Sequence, residues 1–249
     1  MITRNLLLKL RFDGTNYHGW QIQKNALSVQ EVFQNCLEKI LYKNIDIKAC
    51  SRTDTGVHAN MFYVSMKIKH HILCKNFTMA LNKFLPKDIC VYDCCEVPLN
   101  FHARYSCKSK EYVYKILNSK IRNPFLNGYV LHHWRPINIK KLKEAASFFV
   151  GTHDFTSFCT LDSRKKGDFI RTVKNLNIKK TDNSMIEVII EADGFLYNMV
   201  RIIVGTLLKV NQGLIKPCEI ENILNLKNRS AAGPTSSGCG LYLNKIFYK

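Results

Sequence analysis

The chain has 249 residues, enough to bury one large hydrophobic core or two smaller ones. Lys and Arg number 37 against 19 Asp and Glu, so the formal net charge is +18. This excess favours a polyphosphate partner such as nucleic acid, although a general enrichment of Lys on solvated faces would also produce it. The most apolar run, residues 195–210, contains Asn198 and Arg201 and is too short for a bilayer, so a buried helix is favoured over a membrane span.

Ten cysteines are scattered at irregular spacings. A mid-sized chain without a signal peptide is expected to keep such thiols reduced in the cytosol. The closest approach to a metal site is a set of six residues: His70, His71, Cys74, Cys90, Cys94 and Cys95. These do not form a paired C-x₂-C framework, and a free Cys in an apolar strand packs as a small hydrophobic side chain. We therefore expect no metal site.

The N-terminal third alternates between strand and helix patterns. Apolar residues at every second position from Leu6 to Phe12 predict a strand that ends at Asp13-Gly14. Residues 17–21, Tyr-His-Gly-Trp-Gln, follow as an aromatic, glycine-containing loop. Such a loop could stack on nucleic-acid bases or close over a core, and the sequence does not decide between these interpretations.

Ser28 and Glu31 form a capping box at the start of a predicted amphipathic helix. Alternating segments at residues 45–49 and 62–68 predict two strands, a second helix is expected near residues 73–85, and another strand at residues 89–97. The resulting order, β-α-β-β-α-β, is that of a ferredoxin-like sheet with helices on one face. We assign residues 1–104 to an N-terminal subdomain.

The second half repeats this order approximately. Patterns predict strands near residues 108–117, 169–179, 185–192 and 241–248, and helices near residues 142–149, 196–210 and after Pro217. A turn is expected at residues 181–184, and Tyr197 is expected on the same helical face as Arg201. Residues 118–136 read as a long loop, and loops of this length tend to be functional. The fold class is therefore α+β, with residues 105–249 as a second ferredoxin-like subdomain and mainly antiparallel sheets.

Residues 51–59, Ser-Arg-Thr-Asp-Thr-Gly-Val-His-Ala, concentrate polar groups between two predicted strands. Arg52 near Asp54 would keep that carboxylate ionised and nucleophilic, and Gly56 permits a turn. The competing interpretation is that Asp-Thr-Gly is ordinary turn chemistry. Arg201 on an apolar helix needs an anion, for which Asp54 is a candidate, unless its side chain reaches solvent.

These residues resemble the tRNA pseudouridine synthase A family. The nonapeptide is similar to the family signature Gly-Arg-Thr-Asp-x-Gly-Val-His-Ala, with Ser51 where many bacterial members have Gly. Further matches run in order along almost the whole chain: Asp13-Gly14, residues 17–21, residues 101–104, residues 151–155, Arg171-Thr172, residues 195–201, residues 232–234 and residues 240–243.

The resemblance implies isomerisation of uridine to pseudouridine at positions 38, 39 and 40 of the tRNA anticodon arm, without metal or cofactor. It implies that Asp54 is the nucleophile and that Tyr112 lies against the target base. It further implies that Arg52 and Arg201 are flanking cations and that Leu241 contacts the substrate. A cytoplasmic homodimer is also implied, as is a catalytic cleft between the two subdomains.

The chemistry fits these residue types, because a carboxylate can attach reversibly while the glycosidic bond is exchanged. Attack at C6, attack at C1′ and removal of a 2′ proton all stay open. Tyr112 could stack on the extruded base, shuttle the C5 proton or simply face the core. Two other functions compete: a non-catalytic RNA-binding module, and an aspartate-nucleophile hydrolase that would require magnesium.

Overall fold

The computed structural model describes residues 2–160, 167–182 and 184–248. These residues form five α-helices and ten β-strands, with short 3₁₀ turns between some of them. The helices are α1 (Val29–Leu41), α2 (Cys74–Phe84), α3 (Ile139–Ser147), α4 (Met199–Asn211) and α5 (Glu219–Leu226). The strands are β1 (Arg4–Phe12), β2 (Ile47–Ala49), β3 (His58–Ile68), β4 (Ile89–Val97), β5 (Ser109–Asn118), β6 (Leu131–His133), β7 (Gly151–Asp154), β8 (Ile170–Lys180), β9 (Met185–Ala192) and β10 (Leu241–Phe247).

The chain divides into two compact units. One contains the described residues up to Lys108 and those from Tyr242 onwards, and the other is Ser109–Leu241. Most of the last strand therefore belongs to the first unit, where β10 pairs in parallel with the start of β3. The domain boundary between residues 104 and 105 stays a prediction.

The first unit has the predicted order of elements, β1-α1-β2-β3-α2-β4. Strand β1 lies between β4 and β3 and is antiparallel to both, and β2 pairs with the far end of β3. The strand order β4-β1-β3-β2 is that of a ferredoxin-like sheet, so this prediction is confirmed.

Helix α1 begins as its capping box predicts. The Ser28 hydroxyl accepts a hydrogen bond from the Glu31 amide at 3.3 Å, which satisfies one of the free amides of the first turn. The helix places Phe33 against Trp20, and the Trp20 ring lies 4.2 Å from that of Phe62 on β3. All three side chains are fully buried, so aromatic packing forms the centre of this core.

The second unit is built on the antiparallel strands β5, β9, β8 and β7, which neighbour one another in that order. Strand β6 is the exception, because it runs parallel to the end of β5. Without the short strands β6 and β7, the sequence order of this unit is β5-α3-β8-β9-α4, which repeats the strand-helix-strand-strand-helix order of the first unit. The α+β class with mainly antiparallel pairing is therefore confirmed.

Two details differ from the sequence-based expectations, and a third cannot be compared. Residues 118–136 are not all loop, because they include a 3₁₀ turn at Pro124–Leu126 and the short strand β6. Helix α4 begins at Met199, so Tyr197 precedes it and does not share a helical face with Arg201. The predicted turn at residues 181–184 includes Asn183, which lies outside the described residues.

Helix α4 is buried along most of its length, as its apolar sequence predicts. It packs with α3, and a close approach of chain segments occurs at Gly205. A Cβ atom there would lie 1.8 Å from the Pro234 carbonyl oxygen, so only glycine fits. In the described part of the chain, no helix has the length and apolar character needed to cross a membrane.

Candidate active site

Asp54 lies on the connection between β2 and β3, as the sequence predicts. Its side chain is half-buried, whereas Arg52 is exposed to solvent. The turn that follows is closed by a hydrogen bond from the Val57 amide to the Asp54 carbonyl oxygen at 3.1 Å. Gly56 occupies this turn with a φ of 72°, a conformation that a side chain disfavours. The backbone on both sides of the carboxylate is thus well defined.

The aromatic loop at residues 17–21 packs against the Asp54 loop. The Trp20 amide donates to the Thr53 carbonyl oxygen and the Gly56 amide donates to the Tyr17 carbonyl oxygen, each at 3.1 Å. Tyr17 and Trp20 are buried, so neither ring is available to stack on a base. The structure therefore decides between the two interpretations of this loop: it closes over the core.

Gly19 permits this close packing. Its φ is +85°, and a Cβ atom would lie 2.2 Å from the Thr53 carbonyl oxygen. Both the conformation and the contact exclude larger residues. The sequence analysis did not predict this role of Gly19. The available signal was a glycine between His18 and Trp20, in a loop of large side chains.

His58 holds the other end of the Asp54 loop. It begins β3, is almost fully buried and stacks on the Tyr242 ring at 4.6 Å. The Gly14 amide donates to its Nδ1 at 3.0 Å, and Asp13 Oδ1 lies 3.1 Å from the same nitrogen. Residues 13–14 and 17–20 therefore both fix the loop that carries Asp54.

Thr53 is the residue of this loop with an unusual environment. Its side chain is 7% exposed, and its Oγ1 has no hydrogen-bond partner among the described residues. A buried hydroxyl without a partner costs about 1–3 kcal/mol. The loop thus retains a small unfavourable contribution next to its carboxylate, a pattern that occurs at functional positions.

The remaining predicted site residues lie in the second unit or at its end. Tyr112 is on β5, is 6% exposed and meets the Phe195 ring edge-on, with centroids 5.0 Å apart. Leu241 is the buried first residue of β10. Both positions are held by strands, which limits the movement of their side chains.

Arg201 lies in the first turn of α4 and is half-buried. Its Nε donates to the Ser236 carbonyl oxygen at 2.8 Å, and one of its terminal nitrogens donates to Asn198 Oδ1 at 2.6 Å. The Ser236 amide in turn donates to the Arg201 carbonyl oxygen at 3.1 Å. These contacts orient the guanidinium and fasten the chain near residue 236 to the helix.

Asn198 is a second residue that the sequence analysis missed. It precedes α4 with a φ of 62°, a left-handed conformation that Asn tolerates better than most residues. Its side chain accepts from Arg201 and donates to Thr160 Oγ1 at 2.9 Å. Asn198 therefore links the start of the helix to a neighbouring segment and helps to fix the Arg201 side chain.

Residues 2–160, 167–182 and 184–248 contain no group of three or more His, Cys, Asp or Glu side chains that could hold a metal ion. The ten cysteines are free thiols. Burial raises the pKa of the Cys94 thiol, and a hydrogen bond with Cys74 adds to this effect. Cys94 therefore favours its neutral form.

The chain is similar to known enzymes over its full length. A family model described as tRNA pseudouridine synthase matches residues 10–106 and 145–249. The tRNA pseudouridine synthase A of Thermoanaerobacter sp. (strain X514) is 48% identical over 98% of this chain and 100% of its own length. The tRNA pseudouridine synthase A 2 of Clostridium tetani is 41% identical over 99% of this chain and 100% of its own length.

One solved structure, a Cbf5-Nop10-Gar1 complex, matches with a TM-score of 0.38 at 10% identity, over 95% of this chain and 57% of that chain. That likeness is too remote to transfer structural detail. The sequence relatives and the family model, in contrast, show the family to which the chain belongs. They show that the chain is an enzyme of the isomerase class. The chain belongs to the tRNA pseudouridine synthase family.

Proposed function

We propose that the protein isomerises uridine to pseudouridine at positions 38, 39 and 40 in the anticodon stem-loop of tRNA. The observation that carries this proposal is Asp54 within the Arg-Thr-Asp-Thr-Gly sequence, on a loop that two other segments hold in place. Family membership supplies the reaction class. The net charge of +18 suits a polyanionic substrate.

Asp54 is the proposed nucleophile. The reaction breaks the bond between N1 and C1′, turns the uracil, and joins C5 to C1′, after which the proton on C5 is lost and N1 gains a proton. Atoms balance without any external oxidant or reductant. A carboxylate suits this sequence because it can form a covalent bond with the substrate and leave again.

The target base must leave its stack before Asp54 can reach it, which costs a few kcal/mol. We propose that Tyr112 packs against the extruded base and that Arg52 and Arg201 contact the nearby RNA backbone. Leu241 supplies an apolar contact. The rigid placement of Tyr112 and Leu241 on strands and the two hydrogen bonds of Arg201 support these assignments.

The biological setting follows from the substrate. We propose that the protein acts on tRNA in the cytoplasm, as a homodimer, without a membrane partner and without a cofactor. We also propose that residues 1–104 and 105–249 are its two subdomains. A second subunit would extend the basic surface along an anticodon arm, which is a longer object than one catalytic site.

The direct experiment measures tritium released from tRNA transcripts that carry 5-tritiated uridine. We expect release by the purified protein, and we expect each of three transcripts with a single uridine at position 38, 39 or 40 to be modified. Sequencing after carbodiimide treatment would confirm each site. Tight tRNA binding without any tritium release would instead favour a non-catalytic RNA-binding module.

A further inference from the structure

Residues 119–135 form a closed, ordered loop, here named the basic–aromatic loop. Its two ends are joined by Asn118, whose side-chain amide donates to the carbonyl oxygens of His133 and Arg135 at 2.8 and 2.7 Å. The parallel pairing of β6 with the end of β5 adds a second connection. A hydrogen bond between His132 Nε2 and the Ser119 carbonyl oxygen at 2.8 Å adds a third.

The tip of this loop has internal order as well. Asn123 Oδ1 accepts from the Phe125 amide at 3.0 Å, and the Leu126 amide donates to the Asn123 carbonyl oxygen at 3.1 Å. Pro124 restricts the backbone at the first position of the 3₁₀ turn. The backbone of the tip is therefore ordered, so little backbone entropy is left to lose on binding.

Large apolar side chains on this ordered loop point into solvent. Phe125 is 89% exposed, Ile121 is 80% exposed and Trp134 is 61% exposed. The Arg135 guanidinium lies over the Trp134 ring, 5.0 Å from its centroid. Exposed aromatic groups on an ordered backbone, next to cations, are the elements of a stacking platform for unpaired bases.

The charge around the loop has one sign. Between Glu111 and Glu144 the sequence contains seven Lys or Arg and no acidic residue. Lys120 and Arg122 flank Ile121 near the tip, and both are exposed. A two-fold contact between copies of this chain would bring such cations together, whereas a polyanion would neutralise them. Charge complementarity thus selects a nucleic acid.

We propose that the basic–aromatic loop is a tRNA-contact surface. Phe125 and Trp134 stack on unpaired bases of the tRNA, and Lys120, Arg122 and Arg135 contact phosphates. The proposal rests on the proposed function for the identity of the RNA. It goes beyond the family assignment, because neither the family model, which leaves residues 107–144 unmatched, nor the names of the relatives say which surface contacts RNA.

The experiment measures the affinity of full-length protein for a fluorescent tRNA transcript by anisotropy at several salt concentrations. We expect Phe125→Ala and Trp134→Ala each to raise the Kd about tenfold. We expect a K120E/R122E double variant to weaken binding more, and to lower the dependence of log K on log salt by about 1–2. The affinity for a blunt-ended, two-stranded RNA duplex should fall only with the charge variant, because such a duplex offers no unpaired base.

Matched variants outside the loop control for general effects. Leu226→Ala removes an apolar side chain that is 63% exposed in the same unit. A K75E/K87E variant changes the net charge equally at two exposed lysines of the other unit. All of these positions are on the surface, so each variant should keep the melting temperature of the parent protein.

The outcomes separate the two proposals. Unchanged tRNA affinity in the loop variants, or equal weakening by the control variants, would overturn the loop assignment even if tritium release were normal. A loop variant could instead change the sedimentation coefficient of the protein without RNA and leave the tRNA affinity per protomer unchanged. That result would overturn the loop assignment and show that the loop mediates self-association. Absence of tritium release by the parent protein would overturn the proposed function, while the binding measurements would still test the loop.

Discussion

The Trp20 amide donates a hydrogen bond to the carbonyl oxygen of Thr53, the residue before Asp54, across 3.1 Å. This contact connects a buried aromatic residue of the N-terminal loop to the residue that precedes the candidate nucleophile. The position of the carboxylate therefore depends on a segment more than thirty residues earlier in the chain. Changes in that segment should alter catalysis without removing any reacting group.

The first prediction concerns Gly19. Gly19→Ala should lower the free energy of unfolding by about 3 kcal/mol or more, because it combines a positive φ with a clash against the Thr53 carbonyl oxygen. It should also reduce kcat in the tritium-release assay. Gly213→Ala is the matched control, because Gly213 has a φ of +77° and no atom within 4 Å of the added Cβ.

For Gly213→Ala we expect a loss of about 1 kcal/mol and normal kcat. Urea unfolding monitored by circular dichroism gives both stabilities. Equal stability losses for the two variants would show that the clash is relieved at no cost, and normal kcat in Gly19→Ala would show that the contact does not position Asp54.

The second prediction concerns Arg201. Arg201→Met removes the hydrogen bonds to Ser236 and Asn198, so stability should fall by about 1–3 kcal/mol. If the guanidinium also contacts RNA, kcat/KM should fall by about 10- to 100-fold. Arg229→Met is the control, because Arg229 likewise donates to neutral acceptors, Gly233 O and Thr235 Oγ1.

Arg229→Met should lower stability by a similar amount and leave kcat/KM unchanged. Thermal melts and steady-state tritium release measure the two properties separately. An Arg201→Met protein with parental stability and activity would contradict both the structural and the substrate-binding roles of this side chain.

The third prediction is a pH dependence of stability. Burial lowers the pKa of His133, and Arg135 and His132 lower it further; its Nε2 is buried without a hydrogen-bond partner in the described residues. The unfolded chain therefore takes up a proton at higher pH than the folded protein. Stability should fall as the pH drops through the ordinary His range near 6.5.

His133→Leu should remove part of this pH dependence, measured as the change in melting temperature between about pH 7.5 and 5.5. His71→Leu serves as the control for replacing an exposed His by Leu. The interpretation fails if the His133 variant retains the full slope of the parent protein.

Much of the first unit could be predicted from sequence because local signals agreed with the tertiary structure. The Ser28 and Glu31 cap fixed the start of α1, and alternating apolar residues located β1 and β3. The placement of Asp54 between β2 and β3 was also confirmed. Such elements can be predicted from sequence because secondary-structure propensity, helix capping and side-chain burial all favour the same structure.

Other features depend on contacts that are distant in sequence. Strand β6 is three residues long and forms because it pairs in parallel with β5. No local sequence pattern predicts this pairing. Helix α4 starts late because Asn198 adopts a left-handed conformation, although the apolar pattern runs through it. Trp20 is buried because it packs against Phe33 and Phe62. Its neighbours in sequence, which include a glycine, are typical of an exposed loop and did not predict this burial.

The identities of the site residues stay predictions that rest on the family signature and on the geometry within each unit. Asp54→Asn is the most direct test, because it keeps the size of the side chain and removes the nucleophilic carboxylate. Asp46→Asn is the matched control: Asp46 is an exposed carboxylate that pairs with Lys48 at 2.7 Å.

The decisive measurement is single-turnover tritium release from 5-tritiated tRNA with enzyme in excess, together with the Kd for the same tRNA. We expect Asp54→Asn to slow tritium release by at least about 10⁴-fold, while its Kd for tRNA stays within about threefold of the parent value. We expect Asp46→Asn to match the parent protein in both measurements. Release by Asp54→Asn at a rate close to that of the parent protein would contradict the assignment of Asp54 as the nucleophile.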